Sequence, residues 1–487
     1  MQNMDIESII QQLQLAEKEA LKLEPDEEKR YSWTHEVTEY GSHFIENIYH
    51  LPAYVAKDNS AKLIEAGAIS EKGISISESL QIIKNYIDTP GLNPASGGHI
   101  GYIPGGGLFP SALGDFLADI TNRYAGLFFG SPGAVRLENL LLRWLIEIFG
   151  FPAGAAGNLA SGGSIANLTA IVTARDAKQI KAKTIPDQVI YLTSQVHHCI
   201  DKAIRIAGLN EAQKHWVPLD EHFRMDIDAL EAMMKEDLAA GLHPFLVVAS
   251  AGTTDTGAID PLERAANIAH EHGAWFHVDA AYGGFFILSE FAGKKLKGIE
   301  LADSTVVDPH KGLFLPYGTG AVLVREARYL HQSNQYQANY MQDALRNDEL
   351  SPAELSPELT KHFRGLRMWL PLKLFGLQPF RAALDEKLLL AQYFYGKINE
   401  LKGFETGPFP DLSVMIFRYI PKASDPNTFN RDLVKSIQED GRVFLSSTTI
   451  NGIIWIRLAV LSFRTHKAII DNLLEIIIEK VAKLENL

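Results

Sequence analysis

The chain has 487 residues, of which 46% are hydrophobic and 22% charged, a composition typical of a globular protein with a sizeable core. With 46 Lys and Arg against 59 Asp and Glu, the formal net charge of −13 argues against a general binder of nucleic acid or of anionic membranes. The single cysteine, Cys199, excludes an intramolecular disulfide and fits a reducing compartment. The first residues lack the basic and apolar regions of a signal peptide, so we expect a cytoplasmic protein.

The first predicted element is an amphipathic helix over residues 5–23, in which apolar residues recur at roughly helical spacing. The charged stretch EPDEEKR follows as a solvated break. The apolar face of this helix packs either on its own domain or on a partner subunit, and the pattern leaves both alternatives open. We interpret residues 1–107 as a helical N-terminal segment, which ends in the glycine-rich GLNPASGGHIGYIPGGG.

Between about residue 136 and residue 325, short apolar strands alternate with helical segments. This pattern predicts an α/β domain with a mostly parallel sheet covered on both faces, and it places ligands at the carboxyl ends of the strands. We assign residues 108–371 to this large domain. Its predicted strands are QVIYLTS, PFLVVAS, AWFHVDAA, STVVD and GAVLVRE.

Residues 372–487 predict a smaller α+β domain. A strand is expected near LSVMIFRYI, and STTINGIIWIRLAV has the pattern of a β-hairpin that turns at Asn451 and Gly452. A final helix is expected from about residue 466.

Two segments of the large domain could contact an anion or a flat ligand. LASGGSIANL places Gly163 and Ser164 at the start of a helix, where free backbone N–H groups suit a phosphate, although the same residues cap many helices. His197 and His198 follow the strand VIYLT. Because adjacent histidines rarely share one metal ion, we predict no metal site and expect a histidine that either stacks on a planar ligand or hydrogen-bonds within its loop.

Two further residues follow apolar strands and carry opposite charges. Asp279 ends the strand WFHVD and is followed by small residues, which would let a flat cation approach it, although a buried salt bridge would also fit. Lys311 lies in STVVDPHKGLFLP, between apolar runs where an unpaired ammonium group would be costly. An amine, a carboxylate, a phosphate-binding helix start and a stacking ring together form the set that pyridoxal 5′-phosphate requires. Desolvation and a nearby cofactor cation would lower the pKa of Lys311.

These motifs resemble those of the group II pyridoxal-phosphate-dependent amino acid decarboxylases, which include aromatic-L-amino-acid and glutamate decarboxylases. The resemblance covers most of the chain. It rests above all on HVDAAYGG and DPHKGL, with support from GYIPGGGLFPSALGDFLADITNRYAG, VHHCIDKA, FRGLRMWLPLKLFG and WIRLAVLSFRTH. It implies the type I (aspartate aminotransferase-like) fold, in which a large domain is joined to a small C-terminal one. It also implies a homodimer with the active site at the subunit interface.

The resemblance also implies roles for individual residues. Lys311 would form the Schiff base with the cofactor, Asp279 would pair with the pyridine nitrogen, and His197 would stack on the ring. Ala281 would touch the opposite ring face, and Thr254 would lie near the cofactor. Arg457 matches a family arginine with a supporting role. The residues that resemble the phosphate pocket are Gly163, Ser164, Asp308 and His310.

The sequence departs from the family pattern in two segments. Where aromatic decarboxylases usually carry aromatic side chains facing the substrate, this chain has His99, Ile100 and Tyr102, so we expect a differently shaped pocket. The segment that corresponds to the family's loop, 341–358, contains no tyrosine. The proton that replaces carbon dioxide would then come from His197 or from Tyr340, or the reaction would take another course.

We therefore expect decarboxylation of an L-amino acid to the amine and carbon dioxide by way of a quinonoid intermediate, and aromatic amino acids are favoured as substrates. One alternative is another reaction at the α-carbon, namely aldehyde synthesis, transamination or carbon–carbon bond cleavage. A second is a catalytically silent homologue that uses the fold for binding. An intact Lys311 and an intact Asp279 argue against the second alternative.

Overall fold

The computed structural model describes residues 5–335 and 349–486. The chain divides into two compact units, one formed by residues up to 51 together with 55–91, and the other by residues 52–54 together with 92 onwards. Within the described residues, no helix combines the length and the apolar character needed to cross a membrane.

The first unit is helical, as predicted for the start of the chain. Asp5 caps the first helix by accepting a hydrogen bond from the Ser8 backbone N–H. Residues 21–23 form a 3₁₀ turn rather than continuing the α-helix, and the charged break is shorter than predicted because the second helix already begins at Glu27. None of these helices has a buried residue. Their bounds are α1 Ile6–Ala20, α2 Glu27–Glu46, α3 Leu63–Ala66 and α4 Ile76–Ile83.

The second unit contains the large sheet. Two short strands, β1 (Tyr54–Val55) and β2 (Gly91–Leu92), lie where the chain passes from one unit to the other. The seven strands of the large sheet are β3 Ala156–Ala160, β4 Gln188–Leu192, β5 Gln213–Trp216, β6 His243–Ser250, β7 Trp275–Asp279, β8 Ser304–Val307 and β9 Gly320–Val324. Their order is β3-β9-β8-β7-β6-β4-β5, and β9 runs antiparallel to both of its neighbours while every other pairing is parallel.

Successive residues of the central strands point to opposite faces of this sheet. Val189 and Tyr191 of β4 belong to one apolar cluster, whereas Ile190 and Leu192 belong to another. Because both faces are buried, the strands are continuous apolar runs rather than alternating ones. This is why the five strands predicted from apolar runs are all present.

Helices cover both faces of the sheet, as the alternating pattern predicts. One face packs against the alanine-rich inner sides of the helices that follow β3 and β4, and the other against helices from before β3 and after β5 and β6. The helices of this region are α5 Phe109–Thr121, α6 Pro132–Ile148, α7 Gly163–Ala177, α8 Cys199–Ile206, α9 Ile227–Ala239, α10 Leu262–Glu271, α11 Pro309–Gly312, α12 Ala327–Asn334 and α13 Gly365–Phe375.

A second, antiparallel sheet forms near the C-terminus, in the order β10-β11-β13-β12. Its strands are β10 Phe404–Thr406, β11 Val414–Tyr419, β12 Ser446–Ile450 and β13 Ile453–Ala459, and its helices are α14 Gln378–Asn399, α15 Pro426–Asp440 and α16 Lys467–Glu485. The predicted hairpin is present. Asn451 and Gly452 both have positive φ angles, 51° and 77°, which the two-residue turn requires. The domain boundaries at residues 107 and 371 stay predictions.

Candidate active site

All nine residues predicted for the site line one cavity of ≈ 300 Å³. Three of the segments that carry them follow parallel strands, since His197 comes after β4, Asp279 ends β7 and Lys311 comes after β8. The carboxyl ends of parallel strands meet at one edge of a sheet, so residues far apart in sequence converge there. The nine residues are Gly163, Ser164, His197, Thr254, Asp279, Ala281, Asp308, His310 and Lys311.

Helix α7 begins at the cavity because glycine allows a close approach between segments. A Cβ atom on Gly163 would lie 2.9 Å from Asp308 Oδ2, and one on Gly320 of β9 would lie 2.6 Å from the Gly162 carbonyl carbon. A larger residue at either position would therefore push the start of the helix away from β8 and β9. The first backbone N–H groups of a helix have no partner within it, so Gly163 and Ser164 present donors at the cavity wall.

Asp279 is held by two hydrogen bonds. The Ala281 backbone N–H donates to Oδ1 over 3.1 Å, and the side-chain amide of Asn167 donates to Oδ2 over 3.2 Å. The carboxylate is buried, with 9% of the residue exposed. Each carboxylate oxygen can accept more than one hydrogen bond, so Asp279 can also accept one from a cationic N–H group in the cavity.

Lys311 is paired with Asp308. The Lys311 Nζ lies 3.0 Å from Asp308 Oδ2, and about a quarter of the lysine side chain, 26%, stays exposed where it lines the cavity. Burial acts to lower the pKa of Lys311, as predicted, but the negative charges of Asp308 and Asp279 outweigh it and raise the pKa above its ordinary value. The effect of burial on this pKa is therefore as predicted, but it is smaller than the combined effect of two carboxylates, which the sequence did not place beside the amine.

The two site histidines differ in their hydrogen bonds. His197 Nδ1 accepts a hydrogen bond from the Cys199 backbone N–H over 3.3 Å, which leaves the proton of the neutral ring on Nε2. Burial and His198 lower the pKa of His197, while Asp279 opposes the shift. His310 Nδ1 lies 2.6 Å from the Thr319 carbonyl oxygen, to which it donates. The hydrogen of the neutral His310 ring is therefore on Nδ1, and Nε2 has none.

Among the residues around the cavity that were not predicted or were given no clear role are Asn167, Tyr282 and Arg457. Asn167 and Tyr282 line the cavity wall, and both lie in segments that the sequence shows only as apolar helix or post-strand turn. Arg457 of β13 donates from Nε to the Thr254 carbonyl oxygen over 2.7 Å and from Nη1 to Ser446 Oγ over 2.9 Å. Its Nη2 is buried and has no hydrogen-bond partner among the described residues. The signal that could have revealed Asn167 is the presence of a polar residue inside an otherwise apolar stripe of a helix.

The segment expected to shape the substrate pocket lies outside the lining of this cavity. His99 and Ile100 are buried, whereas Tyr102 is exposed. The His99 ring stacks on Phe444, with the ring centroids 5.3 Å apart and the ring planes 3° from parallel. Burial lowers the pKa of His99 to about 4, so this ring is neutral. Of the loop predicted at 341–358, residues 341–348 lie outside the described residues, and so does Tyr340.

Comparison with known proteins identifies the family. A sequence model of the pyridoxal-dependent decarboxylase conserved domain matches residues 76–420. An aromatic-L-amino-acid decarboxylase of Bacillus atrophaeus is 37% identical over 372 residues, which cover 75% of this chain and 77% of that protein. The chain belongs to the pyridoxal-dependent decarboxylase family.

The proteins to which this chain is similar differ in the reaction that their names describe. A phenylacetaldehyde synthase of Arabidopsis thaliana is 26% identical over 72% of this chain and 75% of its own length. Among solved structures, Oryza sativa TDC with PLP and tryptamine superimposes with a TM-score of 0.88 at 22% identity, covering 95% of this chain and 99% of that one. The fold is therefore the type I pyridoxal phosphate fold with a small C-terminal domain, as predicted.

This pyridoxal-dependent decarboxylase is a carboxy-lyase whose cofactor is pyridoxal 5′-phosphate, which confirms the prediction of an enzyme over that of a silent binding protein. The residues of the cavity fit this cofactor. Gly163 and Ser164 present N–H groups for a phosphate, Asp279 keeps an acceptor free for a ring N–H, and the Lys311 amine faces the same space. Asp308 fits less well as a phosphate ligand, since a carboxylate has no hydrogen to donate and this one pairs with Lys311.

Proposed function

We propose that this protein decarboxylates a neutral L-amino acid, with aromatic amino acids favoured, to the amine and carbon dioxide. The observation that carries the proposal is the convergence of Lys311, Asp279 and the start of α7 on one cavity. The aromatic-L-amino-acid decarboxylase of Bacillus atrophaeus supports the choice of substrate class. Among the described residues that line the cavity, Lys311 is the one lysine and there is no arginine, and Arg457 beside the cavity is assigned below to the α-carboxylate. An acidic substrate side chain would therefore lack a counter-charge of its own.

The roles proposed for this chain's residues follow from their contacts. When bound, pyridoxal phosphate would supply an aldehyde that condenses with amines and a protonated ring that takes up the electron pair left on the α-carbon when carbon dioxide departs. Lys311 Nζ provides the amine that attaches the cofactor, and Asp308 accepts the proton that this nitrogen must release. Asp279 keeps the ring nitrogen protonated, because its negative charge opposes the loss of that proton.

The remaining site residues bind or orient. We assign the phosphate to the N–H groups of Gly163 and Ser164 and to His310, whose Nε2 becomes a donor when the ring is protonated. His197 and Ala281 would contact the two faces of the cofactor ring, with Thr254 beside it. His197 can also deliver a proton from Nε2 to the α-carbon after carbon dioxide has left.

Product analysis tests the proposal against its alternative. The second candidate reaction is aldehyde synthesis, in which dioxygen takes up two electrons from the substrate and becomes hydrogen peroxide, and water then releases ammonia and the aldehyde. It is favoured by the absence of tyrosine from residues 341–358 and by the similarity to a phenylacetaldehyde synthase. The purified enzyme should be given phenylalanine, tyrosine, tryptophan, glutamate and 2,4-diaminobutyrate in turn, and carbon dioxide, amine, ammonia and aldehyde should be measured. We expect amine and carbon dioxide in equal amounts from an aromatic substrate. Ammonia and aldehyde would support the alternative, and turnover of glutamate alone would overturn the substrate class.

Arg457 supplies the group that would bind the substrate's α-carboxylate. A buried guanidinium N–H without a partner is costly, and Arg457 Nη2 is such a group, while Nε of the same guanidinium bonds to the cavity residue Thr254. Arg457→Lys keeps the charge but loses the planar fork. We expect this change to weaken binding of the amino acid substrate by about tenfold or more, and to leave binding of the amine product, which has no carboxylate, nearly unchanged.

Inhibition constants of the amine and of a non-reactive amino acid analogue would check this prediction. Arg442→Lys is the matched control, since Arg442 is exposed and pairs with Asp440. Equal losses for both ligands would mean that Arg457 acts only through Thr254 and Ser446.

We also propose that the protein is a homodimer. Helix α1 exposes Ile6, Leu13 and Leu15 at 71%, 61% and 69% of their surfaces, and such an apolar face favours a partner of matching character. A subunit interface next to the active site remains part of this proposal. A sedimenting species of 54.0 kDa, the mass of one chain, would contradict it.

A further inference from the structure

A line of buried polar side chains extends from Asp279 into the protein interior. Asn167 Nδ2 lies 3.2 Å from Asp279 Oδ2, and Asn167 Oδ1 lies 2.8 Å from His277 Nε2. His277 Nδ1 lies 2.8 Å from Ser304 Oγ, which in turn lies 2.8 Å from Trp275 Nε1. Each of the four residues behind Asp279 is at most 3% exposed. We refer to Trp275, Ser304, His277 and Asn167 as the buried chain.

The direction of the hydrogen bonds in the buried chain follows from its Asp279 end. A carboxylate can only accept, so the atom of Asn167 that faces Asp279 is its amide nitrogen. Asn167 Oδ1 then accepts from His277 Nε2, which carries the proton of the neutral ring. His277 Nδ1 therefore accepts from Ser304 Oγ, and Ser304 Oγ accepts from the Trp275 indole.

Two further observations support this direction. Burial lowers the pKa of His277 to about 4 against the opposing effect of Asp279, so the ring is neutral and donates from one nitrogen only. The second hydrogen of the Asn167 amide points to Cys199 Sγ, 3.4 Å away. Rotation of the amide by 180° would place its oxygen against the Asp279 carboxylate and leave His277 Nε2–H without an acceptor. Such an unpaired buried group would be costly.

We propose that Asn167, oriented by His277, Ser304 and Trp275, is a positioning residue that holds the Asp279 carboxylate turned toward the cofactor's ring nitrogen. The inference rests on the role proposed above for Asp279. The Asn167 amide on Oδ2 and the Ala281 N–H on Oδ1 together fix the plane of the carboxylate. The lone pairs of Asp279 that remain then face the cavity, where they can accept a hydrogen bond from a ring N–H group.

Binding of two cofactors that differ at one atom tests the inference without any turnover. The dissociation constants of pyridoxal phosphate and of its 1-deaza analogue, in which carbon replaces the ring nitrogen, should be measured by fluorescence quenching. Their ratio isolates the contact with the ring nitrogen, because effects on the phosphate, on Lys311 or on the cavity shape cancel. We expect the native chain to favour pyridoxal phosphate, and Asn167→Leu to lower this preference about tenfold, since a hydrogen bond to a buried charge is lost.

Three further variants make the test decisive. Asn167→Asp has nearly the same shape and places a second carboxyl group beside Asp279, so the pair shares a proton and the preference should fall as well. Asn430→Leu is the matched control, because Asn430 is equally buried but bonds to the Tyr419 backbone in the C-terminal sheet, and its ratio should not change. Asp279→Asn should lower the ratio if Asp279 faces the ring nitrogen.

The outcomes separate the inference from the assignment on which it rests. An unchanged ratio in Asp279→Asn would refute the role of Asp279 and the inference together. A lowered ratio in Asp279→Asn with unchanged ratios in both Asn167 variants would overturn the inference alone. If Asn167→Leu does not fold, the result for Asn167→Asp decides.

Discussion

Lys311→Ala is expected to lose both amine production and the covalent attachment of the cofactor. The methyl group of alanine has no nitrogen that could attach the aldehyde, and the Asp308 carboxylate, 3.0 Å from Nζ in the native chain, would be left buried without its partner. We expect turnover to fall by roughly a thousandfold or more, as is typical when a nucleophile is removed. The visible absorbance of the bound cofactor should disappear at the same time.

Borohydride reduction followed by peptide mass spectrometry gives a direct measurement. In the native enzyme the reduced cofactor should remain on the peptide that contains Lys311, and in the variant no peptide should carry it. Lys235→Ala is a suitable control, because Lys235 is exposed and pairs with Glu231 on α9. Undiminished amine formation by Lys311→Ala would refute the assignment of the attachment site.

Asp279→Asn is expected to have the second largest effect. The substitution keeps the size of the side chain but removes the negative charge that holds the ring nitrogen protonated, so the ring becomes a weaker acceptor of electrons. Removal of one preorganised electrostatic contact typically lowers kcat by about a hundred- to a thousandfold. We expect a loss of this size in kcat, together with weaker cofactor binding, whereas the covalent attachment at Lys311 should persist.

Steady-state kinetics at saturating cofactor separate these effects. The control is Asp201→Asn on α8, whose carboxylate pairs with Lys214 at the protein surface. A kcat within about threefold of the native value for Asp279→Asn would mean that the ring nitrogen has another partner, since a lost charge contact of this kind costs far more.

The strands of the large sheet show where sequence patterns were sufficient. β4, β6, β7, β8 and β9 are apolar runs buried on both faces, and burial alone selects such residues. β3, with the sequence AGNLA, and β5, with QKHW, were not predicted. Alanine, glycine, asparagine and lysine have low strand propensity, so these segments are strands because their neighbours in the sheet supply hydrogen bonds.

The pKa of Lys311 shows where sequence patterns were not sufficient. The sequence indicated burial, which lowers the pKa of an amine, but it did not reveal the distance from Lys311 to Asp308, three residues earlier in the chain. The helical turn of α11 brings the two side chains to 3.0 Å. A local turn therefore reversed the net effect that burial alone would have had.

The sequence by itself determined the family and the cofactor, and it indicated nine residues that line one cavity, because this chemistry requires particular residue types after particular strands. Tertiary structure alone decided which distant side chains meet. Asn167 reaches Asp279 across 112 positions, and Arg457 reaches Thr254 across 203. Contacts of this kind depend on the order of the strands and on the way in which the C-terminal sheet packs beside the cavity. No spacing within a linear sequence encodes that order, because hydrogen bonds between remote segments form only after the chain has folded.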